Sequence, residues 1–168
     1  MKRSHFIKAV GGSSLVLAAT PLLSFGQPLL NDPQLDKELV EVFVGKAHSD
    51  MDTVRELLTE HPTLLNAAHD WKFGDFETAL GAASHVGYKD LVQYLLDQGA
   101  QANIFTAALF GRLEIVKPMI DAFPSTLHVK GPHGFTLLHH AEKGGEEALE
   151  VVEYLKELGV TEGKINLY

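Results

Sequence analysis

The nine histidines are the chain's main supply of groups that could bind a metal or move a proton near neutral pH. His139 and His140 are adjacent, and consecutive helical residues point about 100° apart, so the two are poorly placed to chelate one ion together. His139 with Glu142 has the i, i+3 spacing that puts two ligands on one helix face. His48, His61, His69 and His128 lie in polar stretches and read as turn residues. Among the carboxylates, Glu146, Glu147, Glu150, Glu153 and Glu157 follow the outer side of one helical period, the usual place for solvating charge. A paired-acid catalytic site stays open as an alternative. Gly-rich phosphate loops, a Gly-x-Ser-x-Gly elbow, His-Glu-x-x-His and calcium-loop spacing do not occur in the sequence. No catalytic residues, bound metal or cofactor are therefore expected.

The elements that must position these groups come from the periodicity. Thr78 to Gly87 reads as a short helix and Leu91 to Ala100 as a second, joined across a glycine turn. The same order returns at Thr106 to Gly111 with Leu113 to Ile120, and at Thr136 to Ala141 with Val151 to Leu155. A weaker copy runs from Val40 to Ala47 and from Met51 to Glu60. Leu91, Val92, Leu95, Ile115, Val116, Ile120, Val151, Val152 and Leu155 fall at spacings of three and four, one apolar stripe per second helix. Small residues such as Ala82, Ala83, Ala107, Ala108 and Ala141 allow neighbouring first helices to approach closely. A two-helix unit has one apolar side, and stacking copies covers it. Pro118 inside the third second-helix is expected to end or kink it.

These units resemble ankyrin repeats, whose first helix opens with Thr-Pro-Leu-His-x-Ala and whose second carries a Val-Val-x-x-Leu-Leu stripe before Gly-Ala. Thr136-Leu137-Leu138-His139-His140-Ala141 is the closest copy. The resemblance covers roughly residues 36 to 160 and implies an all-α fold, an α-solenoid of about four ankyrin-like helix-turn-helix repeats with short hairpin loops. It also implies that His139 makes structural hydrogen bonds between neighbouring turns. From Gly87 to Gly111 is about 24 positions, where an ankyrin unit occupies about 33, so the third unit lacks its projecting hairpin.

Function implied by the resemblance is non-catalytic: a protein–protein interaction scaffold, acting as adaptor, inhibitor or assembly factor through its concave face. Read position by position, that face holds Asp75, Glu77, His85 and Val86 in the second unit, and Leu109 and Phe110 in the third. In the fourth it holds Pro132, His133, Phe135 and Lys143. Trp71 and Phe73, on the loop before Thr78, complete the partner-binding set. Aromatic anchors of this kind carry much of the energy of interfaces. An exposed Leu109-Phe110-Phe135 patch is expected as a contact surface, with Leu109 and Phe110 flooring a notch between the Trp71 loop and the Gly134 turn. Phe76 is expected to fold back over the shortened third unit. The alternative reading is a metal-dependent or small-ligand/glycan-binding protein using concave-face histidines, acids and aromatics, with His85, His133 and His139 as the metal candidates.

Lys2, Arg3 and Lys8 precede a Gly/Ser-diluted apolar stretch, the order of an export signal. Arg3-Ser4-His5-Phe6-Ile7-Lys8 resembles a twin-arginine motif with Ser4 in place of the second arginine. The expected organisation is a signal peptide over 1–26, a linker over 27–35 and a repeat domain over 36–168. Cleavage after Gly26 or after Ala19 would leave a periplasmic or secreted protein. Removing residues 1–26 leaves 14 less 3 basic residues against 22 acidic, a net charge of −11. Such a surface repels nucleic acid and anionic membranes, so neither nucleic acid binding nor membrane insertion is expected, and the partner that the resemblance implies is another protein. The absence of cysteine excludes disulfides and thiolate metal sites.

Overall fold

The structure is a computed structural model and describes residues 34–168. The proposed signal peptide and nearly all of the linker lie outside the described residues. Four helix pairs follow one another: α1 (Lys37–Lys46) with α2 (Met51–Glu60), α3 (Ala79–Val86) with α4 (Lys89–Asp97), α5 (Ile104–Leu109) with α6 (Leu113–Ala122), and α7 (Leu137–Gly144) with α8 (Leu149–Glu157). The chain is mostly helical, in keeping with the all-α expectation.

The first helix of each pair starts at a side-chain cap. Asp36 accepts from the Leu39 N–H, Thr78 from Gly81, Asn103 from Phe105 and Thr106, and Thr136 from His139. The third pair departs from the reading of Thr106 as its opening residue: Asn103 is the cap, and Thr106 is buried inside the helix. Between the helices of the second pair, Gly87 adopts φ +81°, its N–H bonds to the Ser84 carbonyl, and the Tyr88 N–H reaches back to Ala83. Gly111 repeats this with φ +64°, bonding to Ala108 while Arg112 reaches back to Ala107. A side chain at Gly111 would also collide with the Glu147 carbonyl of the fourth pair, so glycine is required there twice over.

First helices pack in sequence, α1 on α3, α3 on α5 and α5 on α7, and α3 also touches α7. One apolar cluster fills the first two pairs around Phe43, Val54, Leu64, Leu91 and Leu95, and takes in Leu109. A second fills the last two around Val116, Leu137, Leu138, Val151 and Leu155. Pro118 does not end its helix, because α6 runs through it to Ala122. Pro118 and Glu114, whose carbonyl loses its helical partner, are both exposed, so water can serve that oxygen.

Before the second pair, β1 (Ala68–Asp70) and β2 (Phe76–Thr78) form an antiparallel hairpin that pairs Ala68 with Thr78, His69 with Glu77 and Asp70 with Phe76. Nothing similar precedes α5: six residues, 98–103, link it directly to α4. Beyond α8 the chain turns back, with the Ile165 N–H bonding to Gly134 and the Thr136 N–H to Gly163.

Candidate functional site

Because α5 is only six residues long and has no hairpin in front of it, the fourth pair reaches the second directly. His139 Nε2 lies 2.8 Å from the His85 carbonyl oxygen. The Lys89 ammonium bonds to the Gly144 carbonyl and lies 2.9 Å from the Glu147 carboxylate. Asp75, at the end of the hairpin loop and buried, accepts the His133 backbone N–H at 2.8 Å and faces His133 Nδ1 at 2.8 Å. Pro132 rests against Gly81. The expected role of His139 as a structural tie between turns fits this geometry.

Where these elements meet, four side chains converge. Glu77 on β2 is 1 % exposed and His85 on α3 is 6 % exposed. Glu77 Oε1 stands 2.9 Å from His85 Nδ1, yet neither atom has a hydrogen-bond partner. Glu77 Oε2 accepts the Trp71 indole N–H at 2.7 Å and lies 3.3 Å from His133 Nε2 and 3.5 Å from His48 Nε2. One nitrogen or oxygen from each of His48, Glu77, His85 and His133 falls within 4.8 Å of every other. Burial pushes the Glu77 carboxyl up, and the neighbouring His85, Trp71 and His133 groups outweigh it, so the group is held below the usual carboxylate range.

Around this core the aromatics are committed to one another. Phe135 is stacked between His139, at a ring separation of 4.1 Å, and His85, at 4.8 Å, with the Lys164 ammonium 4.6 Å from its centre. Trp71 meets the His69 ring edge-on at 4.6 Å and packs toward Gly45 of α1.

Several expected partner contacts therefore need correction. Asp75, Glu77 and His85 are buried and spend their polar groups inside the protein, and Leu109 is fully buried in the core. Phe110 is half-buried and faces a groove with Gln93, Leu96, Ile115 and Met119, on the side of the second helices, away from the residues grouped with Phe135. The Leu109-Phe110-Phe135 patch does not form. Phe76 is 62 % exposed and does not fold down. A cleft of about 290 Å³ lies beside the contact between hairpin and fourth loop, lined by Phe76, Ser84, Phe105, Lys130, Pro132 and His140, and neither Leu109 nor Phe110 lines it. Leu109, two residues before Gly111, stands where His85 stands before Gly87, and both positions are buried.

Remaining exposed are Phe73, 88 % accessible at the hairpin tip with φ +51°, together with Phe76 and Lys143, while Val86 and Pro132 are half-buried. The Phe73 ring meets Tyr168 of the returning tail edge-on at 5.7 Å. His48 escaped the sequence reading, which assigned it to a polar turn. The available signal was positional: His48 and His85 both fall at the end of a first helix, two or three residues before the cap of the second.

Residues 75–107, the second helix pair and the start of the third, match the model of the ankyrin repeat family. Ankyrin repeats generally serve as protein–protein interaction motifs. A search of curated proteins found no match to the chain. Among the described residues, no helix is long and apolar enough to cross a membrane.

Proposed function

We propose that this chain is an exported, non-catalytic protein-binding module, an adaptor, inhibitor or assembly factor whose contact face is built on the β1–β2 hairpin. The observation that carries the reading is Phe73, an aromatic side chain held almost wholly in solvent on a left-handed backbone. Placing a bulky residue there costs strain and leaves apolar area wet, a combination found where a side chain serves a contact rather than the fold. Phe76 and Tyr168 extend the apolar surface, and Lys72 lies 5.9 Å from the Tyr168 ring centre. The tip loop is braced from below: Asp70 accepts the Gly74 N–H, and Trp71 and Asp75 are bonded across the loop. A braced aromatic finger loses little conformational freedom on binding. Export is supported by Lys2, Arg3 and Lys8 ahead of the apolar stretch.

A photo-crosslinking phenylalanine analogue at position 73 tests the face, with the same analogue at Ile115, exposed on α6, as the comparison. The expected result is one discrete cross-linked protein from position 73 that disappears when Phe76 and Tyr168 are changed to alanine. Equal cross-linking from both positions would remove the hairpin from consideration.

A further inference from the structure

We propose that His48, Glu77, His85 and His133 form a binding site for one divalent d-block cation, with zinc the best match, and that the ion clips the first, second and fourth helix pairs together across the shortened third. This goes beyond the protein-binding reading and does not depend on it.

The tautomers point to an electron-pair acceptor at the centre. His48 Nδ1 lies 3.0 Å from the Gly45 carbonyl, which only accepts, so Nδ1 donates there and Nε2 is the nitrogen turned toward Glu77. His133 repeats the arrangement: its Nδ1 faces the buried Asp75 carboxylate, leaving Nε2 toward Glu77. The third ring, His85, brings Nδ1 within 2.9 Å of Glu77 Oε1 without the alignment of a hydrogen bond. The ring nitrogens turned toward Glu77 are of the kind that bind a metal through a lone pair when not protonated. A cation placed among the four accepts every one of those pairs.

Geometry and charge agree. A tetrahedral ion with bonds of about 2.0–2.1 Å holds its ligand atoms about 3.3 Å apart. Glu77 Oε2 lies 3.3 Å from His133 Nε2 and 3.5 Å from His48 Nε2, Glu77 Oε1 lies 2.9 Å from His85 Nδ1, and the four ligand atoms fall within 4.8 Å of one another, so the set must contract to close on an ion. Two carboxylates, Glu77 and Asp75, are buried beside the cluster, a local charge that suits a dication. The outer shell matches what histidine ligands of metals normally have, since a backbone carbonyl orients His48, a carboxylate orients His133 and an indole N–H orients Glu77. Three nitrogens and one carboxylate oxygen suit zinc far better than calcium or magnesium, which favour all-oxygen shells. With four protein ligands the shell is closed, the pattern of a structural rather than a catalytic ion.

The full chain, freed of metal with chelator, is titrated with Zn²⁺ by calorimetry and with Co²⁺ by visible absorption at pH 7. We expect one ion per chain with a Kd below about 1 µM, and the intense visible bands of a four-coordinate cobalt site. Trp71, the single tryptophan, donates to a proposed ligand and lies about 6 Å from the His48 and His133 rings, so Co²⁺ should quench its emission with the same stoichiometry. His48→Ala and His133→Ala remove rings that are 27 % exposed and should leave the helical signal intact while weakening Zn²⁺ at least about 100-fold. His61→Ala and His128→Ala should bind as the parent does. Failure to bind overturns the proposal, as does binding that leaves Trp71 emission unchanged or that survives both ligand substitutions. The quenching result applies to the parent chain alone, so it decides the matter even if a variant fails to fold.

Discussion

The second and third helix pairs are built from the same plan and differ in one insertion. The second has a braced hairpin in front of an eight-residue first helix; the third has a six-residue connection in front of a six-residue one. In the second pair, polar groups at the hairpin base and at the end of α3 turn toward the concave side, where Glu77 and His85 become buried. At the third pair that side is vacant, and the fourth falls into the space, carrying His133, Phe135 and His139 onto the second. The short connection and short first helix of the third pair thus go with direct contact between the second and fourth pairs.

The largest effect should come from the core at the end of α5. Leu109→Ala removes a fully buried side chain and should destabilise the chain by about 2–5 kcal/mol in denaturant unfolding. Ile115→Ala, on a half-exposed side chain of the adjoining helix, should cost about 0.5 kcal/mol or less. Equal costs would mean that the third pair is not packed as described.

His140 gives the next effect. Burial lowers its pKa to about 4 from the ordinary 6.5, with the His139 and His85 charges adding to the shift and the Thr136 carbonyl and Glu77 opposing it. Its folded value lies below its unfolded one, so between pH 6.5 and 4 the unfolded chain binds the extra proton. Stability should therefore fall as the pH drops through this window, by up to about 3 kcal/mol from this group. Thermal unfolding of the parent and of His140→Leu between pH 7 and 4 should show a shallower decline in the variant; identical slopes would place the pH sensitivity elsewhere.

Breaking the bridge between second and fourth pairs comes next. Asp75→Ala leaves the His133 backbone N–H and ring without their shared acceptor and should cost about 1–3 kcal/mol. His133→Ala in the same background should add much less than it does alone, and simple additivity in the double-mutant cycle would show the two loops to be independent. Smallest of all should be Phe73→Ala, within about 0.5 kcal/mol of the parent by thermal unfolding, because the side chain is almost entirely in solvent. A larger loss would assign Phe73 to the fold and weaken the contact-face reading.

Helix pairing was legible in the sequence because period and punctuation are local. The apolar stripes at spacings of three and four, and glycines such as Gly87 and Gly111 with φ near +80° and +64°, mark each unit without reference to any other. The missing third hairpin was legible as a short interval between glycines, and His139 as a structural residue through its place in the repeat. Leu109 was misjudged because the position two residues before the turn glycine faces inward, as it does for His85 in the second pair, and Phe76 because a strand residue's face is fixed by register, here the pairing of Asp70 with Phe76.

The sequence by itself determined a chain of paired helices, the units that are complete and the one that is short. Only the tertiary structure decided that His48, Glu77, His85 and His133 share one site, since they come from three different pairs and span residues 48 to 133. Local patterning fixes what each repeat is, whereas the collapse of one repeat across a gap depends on which surfaces are left uncovered once all of them have folded.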